Sequence, residues 1–227
     1  MNAIIFDTET TDSADGAEII EAAWIPLRDD AGFIELFTEN FEQRYKPSKP
    51  ITFGAMATHH IIDHELEDCP PSSAFALPDG LDYMIGHQID FDWRMAGSPA
   101  NVKRICTLAI ARKLWPDTGH TLGALMYMLA DDKYAMRDKL RNAHSAMADV
   151  YFCSRLLWAI SKEAGPFDSL EALWHYSEEC RIPEKITFGK HAGTAIKDLP
   201  TDYVLWFVRQ PDVDPCLLKA FERRLGR

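Results

Sequence analysis

A short apolar run, Ala3-Ile4-Ile5-Phe6, leads directly into Asp7-Thr8-Glu9. An uninterrupted series of branched and aromatic residues reads as a buried strand. Side chains on a strand alternate between its two faces, so Asp7 and Glu9 point to the same side. Two carboxylates held together repel each other unless a cation lies between them. Oxygen ligands of this kind suit a hard divalent ion, Mg2+ or Mn2+. A solvated Asp-x-Glu turn has the same residues, so the pair alone does not define a site.

The pattern downstream indicates what surrounds that strand. A turn-prone stretch from Thr8 to Gly16 precedes a second strand, Ala17 to Leu27, and a third follows over Phe33 to Arg44. Pro47 and Pro50 interrupt regular structure. Residues 55–60 read as helix, and Tyr83 to His87 as another short buried strand. Helical periodicity returns over Cys106–Trp115 and Thr121–Leu129, and most clearly over Ser145–Ile160. Three strands followed by alternating helices and strands predict an α/β fold, a mixed sheet flanked by helices. Gly165-Pro166 breaks the long helix, Ser169 to Cys180 reads as one more, and the composition changes near Ile186. The expected organisation is a main domain over 1–163, a linker with a helix over 164–185, and a small module over 186–227 ending in a basic helix.

Composition limits the classes that remain. Hydrophobic residues make up 47% and charged residues 26% of the 227, as in a globular chain. No apolar run approaches a membrane span, and the N-terminus lacks the pattern of a signal peptide. Five scattered cysteines without a Cys-x-x-Cys pair point away from disulfides and zinc and towards a reducing cytoplasm. The net charge of −11 alone disfavours nucleic acid. A carboxylate site contributes to that charge, however, and its metal ions are not in the count.

Two further elements join Asp7 and Glu9. In Gly86-His87-Gln88-Ile89-Asp90-Phe91-Asp92 the chain leaves a strand and enters a helix. Either Asp90 or Asp92 could sit where the helix dipole favours an anion, or serve only as a cap. In His144-Ser145-Ala146-Met147-Ala148-Asp149, five residues separate the histidine from the aspartate. On one helix that offset is about 140°, so the two would not share a face. His144 is therefore placed just before the helix, with Ser145 as a candidate N-cap and Asp149 in the first turns. Four carboxylates can cage two divalent ions for in-line phosphodiester hydrolysis, with a neutral histidine taking the proton of the attacking water. No phosphate loop, nucleophile elbow or zinc spacing competes with this.

Phe6-Asp7-Thr8-Glu9-Thr10-Thr11, His87-Gln88-Ile89-Asp90-Phe91-Asp92 and His144-x-Ala146-x-x-Asp149 together resemble, in order, the three motifs of the DEDDh (DnaQ-like) exonuclease family. The resemblance selects Asp92 over Asp90. Residues 50–59, 105–116, 187–193 and 203–206 are also similar to the exodeoxyribonuclease X branch of that family. The resemblance implies a ribonuclease H-like fold with a small C-terminal module and 3′→5′ hydrolysis of DNA. It implies two Mg2+ ions, replaceable by Mn2+, on Asp7, Glu9, Asp92 and Asp149, with His144 as general base, and release of nucleoside monophosphates in repair or recombination. Thr8, Glu9, Thr10, His87, Gln88, Phe91 and Arg141 are expected to contact the substrate. Gln88 departs from the family's usual asparagine. RNA as substrate and a homodimer as assembly stay open, as do a polymerase proofreading subunit, an RNA-trimming enzyme and an inactive nucleic-acid-binding module.

Overall fold

The computed structural model describes residues 1–30, 33–36, 39–142 and 145–227. The chain divides into two compact units, Met1–Ser177 and Glu178–Arg227.

Unit 1 is built on a mixed sheet. Strand β1 (Asn2–Thr10) pairs antiparallel with β2 (Ile19–Asp30), in a register that sets Glu9 opposite Glu21 and shifts between Glu9 and Thr10. The far edge of β2 carries two short antiparallel strands. β3 (Phe33–Leu36) pairs with Leu27–Asp30, and β4 (Phe41–Arg44) with Glu21–Trp24. The segment expected to form one third strand is thus two strands. On its other side β1 runs parallel to β5 (Tyr83–Gly86), and β5 parallel to β6 (Lys103–Cys106). The strand order is β3-β2-β1-β5-β6.

Ala3, Ile4, Ile5 and Phe6 are all buried, as a central strand covered on both faces requires. Phe6 and Trp24 belong to a core that includes Ile4, Met84 and Ile89, and Trp24 stacks on Phe41 at 3.7 Å between ring centroids. β5 approaches β1 so closely that a Cβ on Gly86 would lie 2.9 Å from the Phe6 carbonyl oxygen and 2.7 Å from Ile89 Cδ1. Only glycine fits there.

The helices of unit 1 are α1 (Phe53–His59), α2 (Asp90–Met95), α3 (Thr107–Leu114), α4 (Leu122–Met128), α5 (Lys133–Asn142), α6 (Ala146–Glu163) and the first part of α7 (Leu170–Cys180). The long helix α6 lies against β1 and β2 and touches α3 and α4. It is apolar along much of its length, with Met147, Val150, Cys153, Leu156 and Ile160 buried. β6 and α5 had not been expected. No helix among the described residues is long and apolar enough to cross a membrane.

Unit 2 has its own core of Ile186, Ile196, Leu199, Val204, Leu217, Ala220 and Phe221. It contains α8 (Thr201–Phe207) and α9 (Pro215–Arg224). α9 starts cleanly: the Asp214 carboxylate accepts the Leu217 N–H at 2.9 Å, and Pro215 fills the first turn, where no N–H is needed.

Candidate active site

Burial along β1 alternates from Asp7 onward. Asp7 and Glu9 are half-buried, while Thr8 and Thr10 between and after them are buried. The two carboxylates therefore share a face, and it is the face covered by the start of α6. The Ser145 hydroxyl caps that helix by accepting the Ala148 N–H at 3.3 Å. Asp149 follows in the first turn, rigidly placed. The structure brings Asp7, Glu9 and Asp149 together: one carboxylate oxygen from each lies within 4.8 Å of the others.

Asp92 stands outside this group of three but next to it. It is the third residue of α2 and 5% exposed. Its Oδ1 accepts both the Thr8 N–H at 3.0 Å and the Thr8 hydroxyl at 2.7 Å. These bonds fix α2 to β1 and hold the Asp92 charge beside Asp7. Asp90 turns elsewhere and pairs with Arg104 at 2.6 Å.

Burial pushes every one of these carboxyl groups up, and repulsion from neighbouring carboxylates adds to it at Asp7, Glu9 and Asp92. Asp7 rises well above the ordinary range, through burial first and then the charges of Asp92, Asp149, Glu9 and Glu21. Glu9 is raised to about 8, by burial and then by Asp149, Glu21 and Asp92. Asp92 is raised to about 7 by burial, against the opposing pull of its Thr8 bonds. Asp149 is raised to about 6 by burial. Such a cluster cannot be fully ionised near neutrality without positive charge. Its all-oxygen donors fit a hard divalent cation.

One buried acid beside the cluster was missed by sequence reasoning. Glu21 on β2 is 1% exposed. Its Oε1 accepts from Arg44 Nε at 2.8 Å on β4, and its Oε2 accepts the Ala146 N–H at 2.8 Å. Ala146 is the first residue of α6. A buried carboxylate thus ties the sheet to the start of the helix that carries Asp149, where the helix dipole favours an anion. The available signal was an acid standing inside the apolar run Ile19-Ile20-Glu21-Ala22-Ala23-Trp24.

The remaining candidates are placed as follows. His144 lies outside the described residues. The Thr8 hydroxyl is engaged with Asp92, and the Thr10 hydroxyl donates to the Asp12 carbonyl at 2.7 Å, so both point inward. His87 has Thr107 Oγ1 at 3.1 Å from Nδ1 and the His120 carbonyl at 2.8 Å from Nε2. Both ring nitrogens are occupied by the chain itself, and burial holds the pKa of the ring below its usual value. His59, which ends α1 and was not among the candidates, is internal: its Nδ1 accepts the Ile61 N–H at 3.0 Å. Gln88 is exposed with φ of 72°, a left-handed conformation that asparagine tolerates better. Phe91 is half-buried, with the Arg94 guanidinium 5.9 Å from its ring centroid. Arg141 is exposed in the last turn of α5.

The family model described as "Putative quorum-sensing-regulated virulence factor" matches residues 180–212. Over 213 residues the sequence is 27% identical to Exodeoxyribonuclease 10 of Escherichia coli (strain K12), spanning 92% of this chain and 91% of that protein. It is 29% identical over 176 residues to DNA polymerase III subunit epsilon of Buchnera aphidicola subsp. Acyrthosiphon pisum (strain APS), spanning 67% of this chain and 70% of the relative. Among solved structures, Exonuclease X in complex with 5′ overhanging duplex DNA matches with a TM-score of 0.55 at 25% identity, covering 77% of this chain and 99% of that chain.

Proposed function

Because the chain belongs to the DEDDh family and is a 3′→5′ DNA exonuclease, we propose that Asp7, Glu9, Asp92 and Asp149 hold two divalent cations, Mg2+ by preference, at the reacting phosphodiester. The observation that carries this reading is the convergence of half-buried Asp7, Glu9 and Asp149, with one oxygen from each within 4.8 Å of the others. Asp92, fixed beside Asp7 by its two bonds from Thr8, supplies the fourth carboxylate. Divalent cations held there provide Lewis-acid stabilisation of phosphate oxygens and activation of water.

The chain's own residues do the rest. β1 and α6 present their carboxylates on rigid elements, so the cage does not reorganise during reaction. Glu21 holds the first turn of α6, and with it Asp149, against the sheet. His144, two residues before that turn, accepts the proton of the attacking water. The leaving 3′ oxygen belongs to the shortened strand, and a nucleoside 5′-monophosphate is released. Duplex DNA with a 5′ overhang, as bound by Exonuclease X, offers a recessed 3′ end and is the first substrate to try.

The test is digestion of matched DNA and RNA strands labelled at the 5′ end, with Mg2+ and with EDTA. Stepwise shortening of the DNA from its 3′ end, with mononucleotide product and only in Mg2+, is the expected result. Shortening that persists in EDTA, or a faster attack on RNA than on DNA, would overturn the reading.

A further inference from the structure

Unit 2 presents more aromatic surface than its core requires. Tyr203 and Phe207 lie one turn apart on α8, and the Phe207 ring is 5.4 Å from that of the fully buried Phe221, centroid to centroid. Trp206 meets Phe207 edge-on at 5.3 Å and lies 6.2 Å from Tyr203. From the segment before α8, Phe188 joins Phe207 at 5.7 Å and His191 joins Tyr203 at 4.6 Å. The rings form one continuous cluster. Its inner members, Tyr203 and Phe207, pack against the core of unit 2. Its outer members stand in solvent: Trp206 is 55% exposed and Phe188 is 45% exposed.

The outer rings rest on a fixed base. Phe188 and His191 belong to a turn in which Gly189 and Gly193 have φ of 66° and 85°, values that favour glycine. The Gly193 N–H donates to the Ile186 carbonyl at 2.7 Å, and the Ile186 N–H donates to the Thr194 carbonyl at 3.0 Å. Ile186 is a core residue, so the turn is pinned at its foot. A single exposed aromatic on a surface needs no explanation. Exposed rings joined to a rigid aromatic base leave apolar surface in water that packing within unit 2 does not account for.

The chemistry of this face selects its occupant. The large hydrophobic side chains that unit 2 exposes are Phe188 and Trp206, both aromatic. A flat ring suits a flat heterocycle, whereas a protein partner would be served as well by leucine or methionine. Lys190 lies in the turn between Phe188 and His191, and Arg209 follows Trp206 by three residues. The exposed charges over 185–209 are Lys185, Lys190, Lys197 and Arg209 against Asp198 and Asp202, an excess that favours a polyanion.

We propose that this aromatic face binds unpaired bases of DNA, stacked on Trp206 and Phe188, with Lys190 and Arg209 against the backbone phosphates. The proposal rests on the chain acting on DNA. Stacking is tolerant of sequence because every base has a π-face, and an exonuclease must accept successive bases of any kind.

The test uses the full chain in EDTA, where the carboxylate cluster repels a polyanion. Binding of a labelled oligothymidylate of about 12 nucleotides, within the usual size of a single-strand site, is followed by anisotropy over a range of salt. An abasic strand of the same length is measured beside it, and both carry phosphorothioates at the 3′ end. Trp206→Ala is expected to weaken oligothymidylate binding roughly tenfold, the effect of losing one stacking partner. Its affinity for the abasic strand and its salt slope should not change, because no phosphate contact is lost. Trp206→Tyr keeps a stacking ring and should restore most of the affinity. Lys190→Gln should instead weaken both strands and lower the salt slope by about 0.7. An oligothymidylate affinity unchanged by Trp206→Ala would overturn the proposal, as would equal losses on the two strands. So would a dimer in sedimentation that Trp206→Ala splits without altering strand affinity, since the face would then join two copies of the chain. A chain that binds oligothymidylate through Trp206 but shortens no DNA in Mg2+ upholds this face and refutes only the catalytic reading.

Discussion

The two units handle charge in opposite ways. Unit 1 carries 15 Lys and Arg against 27 Asp and Glu, whereas unit 2 carries nine against eight. The acidity of the whole chain therefore belongs entirely to unit 1, where part of it is buried at Glu21 and Asp92 and half-buried at Asp7, Glu9 and Asp149. Burying like charges costs stability, and unit 1 has a broad sheet and α6 to sustain it. Unit 2, with seven buried core residues, keeps Lys185, Lys197 and Arg223 at its surface. Net charge thus says little about a nuclease until it is divided between the part that carries the carboxylate cluster and the part that does not.

The contrast breaks most sharply at the cage. Asp7→Ala is expected to lower turnover on the order of 10⁴-fold, the scale of an indispensable catalytic group, while leaving the fold of unit 1 intact by circular dichroism. Retained turnover would remove Asp7 from the cage. His144→Ala is expected to cost roughly 10²-fold or more in kcat, as a general base does; an unaltered rate would make His144 structural. In unit 2 the weak point is the core. Phe221→Ala removes a fully buried ring and should destabilise that unit by about 3–5 kcal/mol. Hydrogen exchange should then show fast exchange across α8 and α9 with the strands of unit 1 still protected. Equal loosening of both units would mean that they do not fold independently.

How far this was legible in the sequence depends on what a side chain does with its charge. Asp7 and Glu9 were readable because a strand's period of two fixes their common face, and the motif order chose Asp92. Their rigid setting was not: β1 continues through Thr10, so the carboxylates sit inside the strand rather than beyond its end. β6 is hard to see in the sequence because half of it, Lys103 and Arg104, is charged. In the structure Lys103 lies 4.2 Å from the Trp174 ring centroid and Arg104 lies 4.3 Å from that of Trp93. Their long stems cover aromatic surface while their heads pair with Glu171 and Asp90. α5 buries only Met136 fully among its described side chains, so it has almost no apolar stripe to detect. Its start was nonetheless encoded at Asp132, whose Oδ1 accepts from Tyr134 N–H at 2.9 Å and Ala135 N–H at 3.1 Å. Glu21 was hidden for the opposite reason, as one acid in an apolar run that otherwise reads as core.

Glu21 offers a finer test of how unit 1 sustains its buried charge. Glu21→Gln keeps the shape and one acceptor oxygen but removes the charge that faces Arg44 and the start of α6. If Glu21 positions Asp149, the Mg2+ concentration needed for half-maximal rate should rise roughly 10–100-fold, the usual penalty for losing a group that orients a metal ligand. The rate at saturating Mg2+ should largely recover. A drop in thermal stability without any change in metal requirement would reduce Glu21 to a structural tie.

The smallest expected effect is on stability as a function of pH, and its sign separates the two units. Asp149, Asp92 and Glu9 are raised to about 6, 7 and 8, and Asp7 is raised as well. A group whose folded pKa lies above its unfolded value binds more protons in the folded chain. It contributes stability below the ordinary carboxylate range and loses that contribution as pH rises through the folded pKa. In EDTA, unit 1 should therefore lose a few degrees of Tm between about pH 5 and pH 8, the window set by these raised carboxyl groups. Asp149→Asn should flatten that fall, because it removes one of the buried charges. Saturating Mg2+ should also flatten it, because the metal binds the ionised carboxylates and displaces their protons. Unit 2 contains none of these raised carboxyl groups, so its exchange protection should not follow the same curve. A metal-free Tm that is constant over the window, or one that rises with pH, would mean that the carboxylates of β1 and α6 are better solvated than their burial indicates.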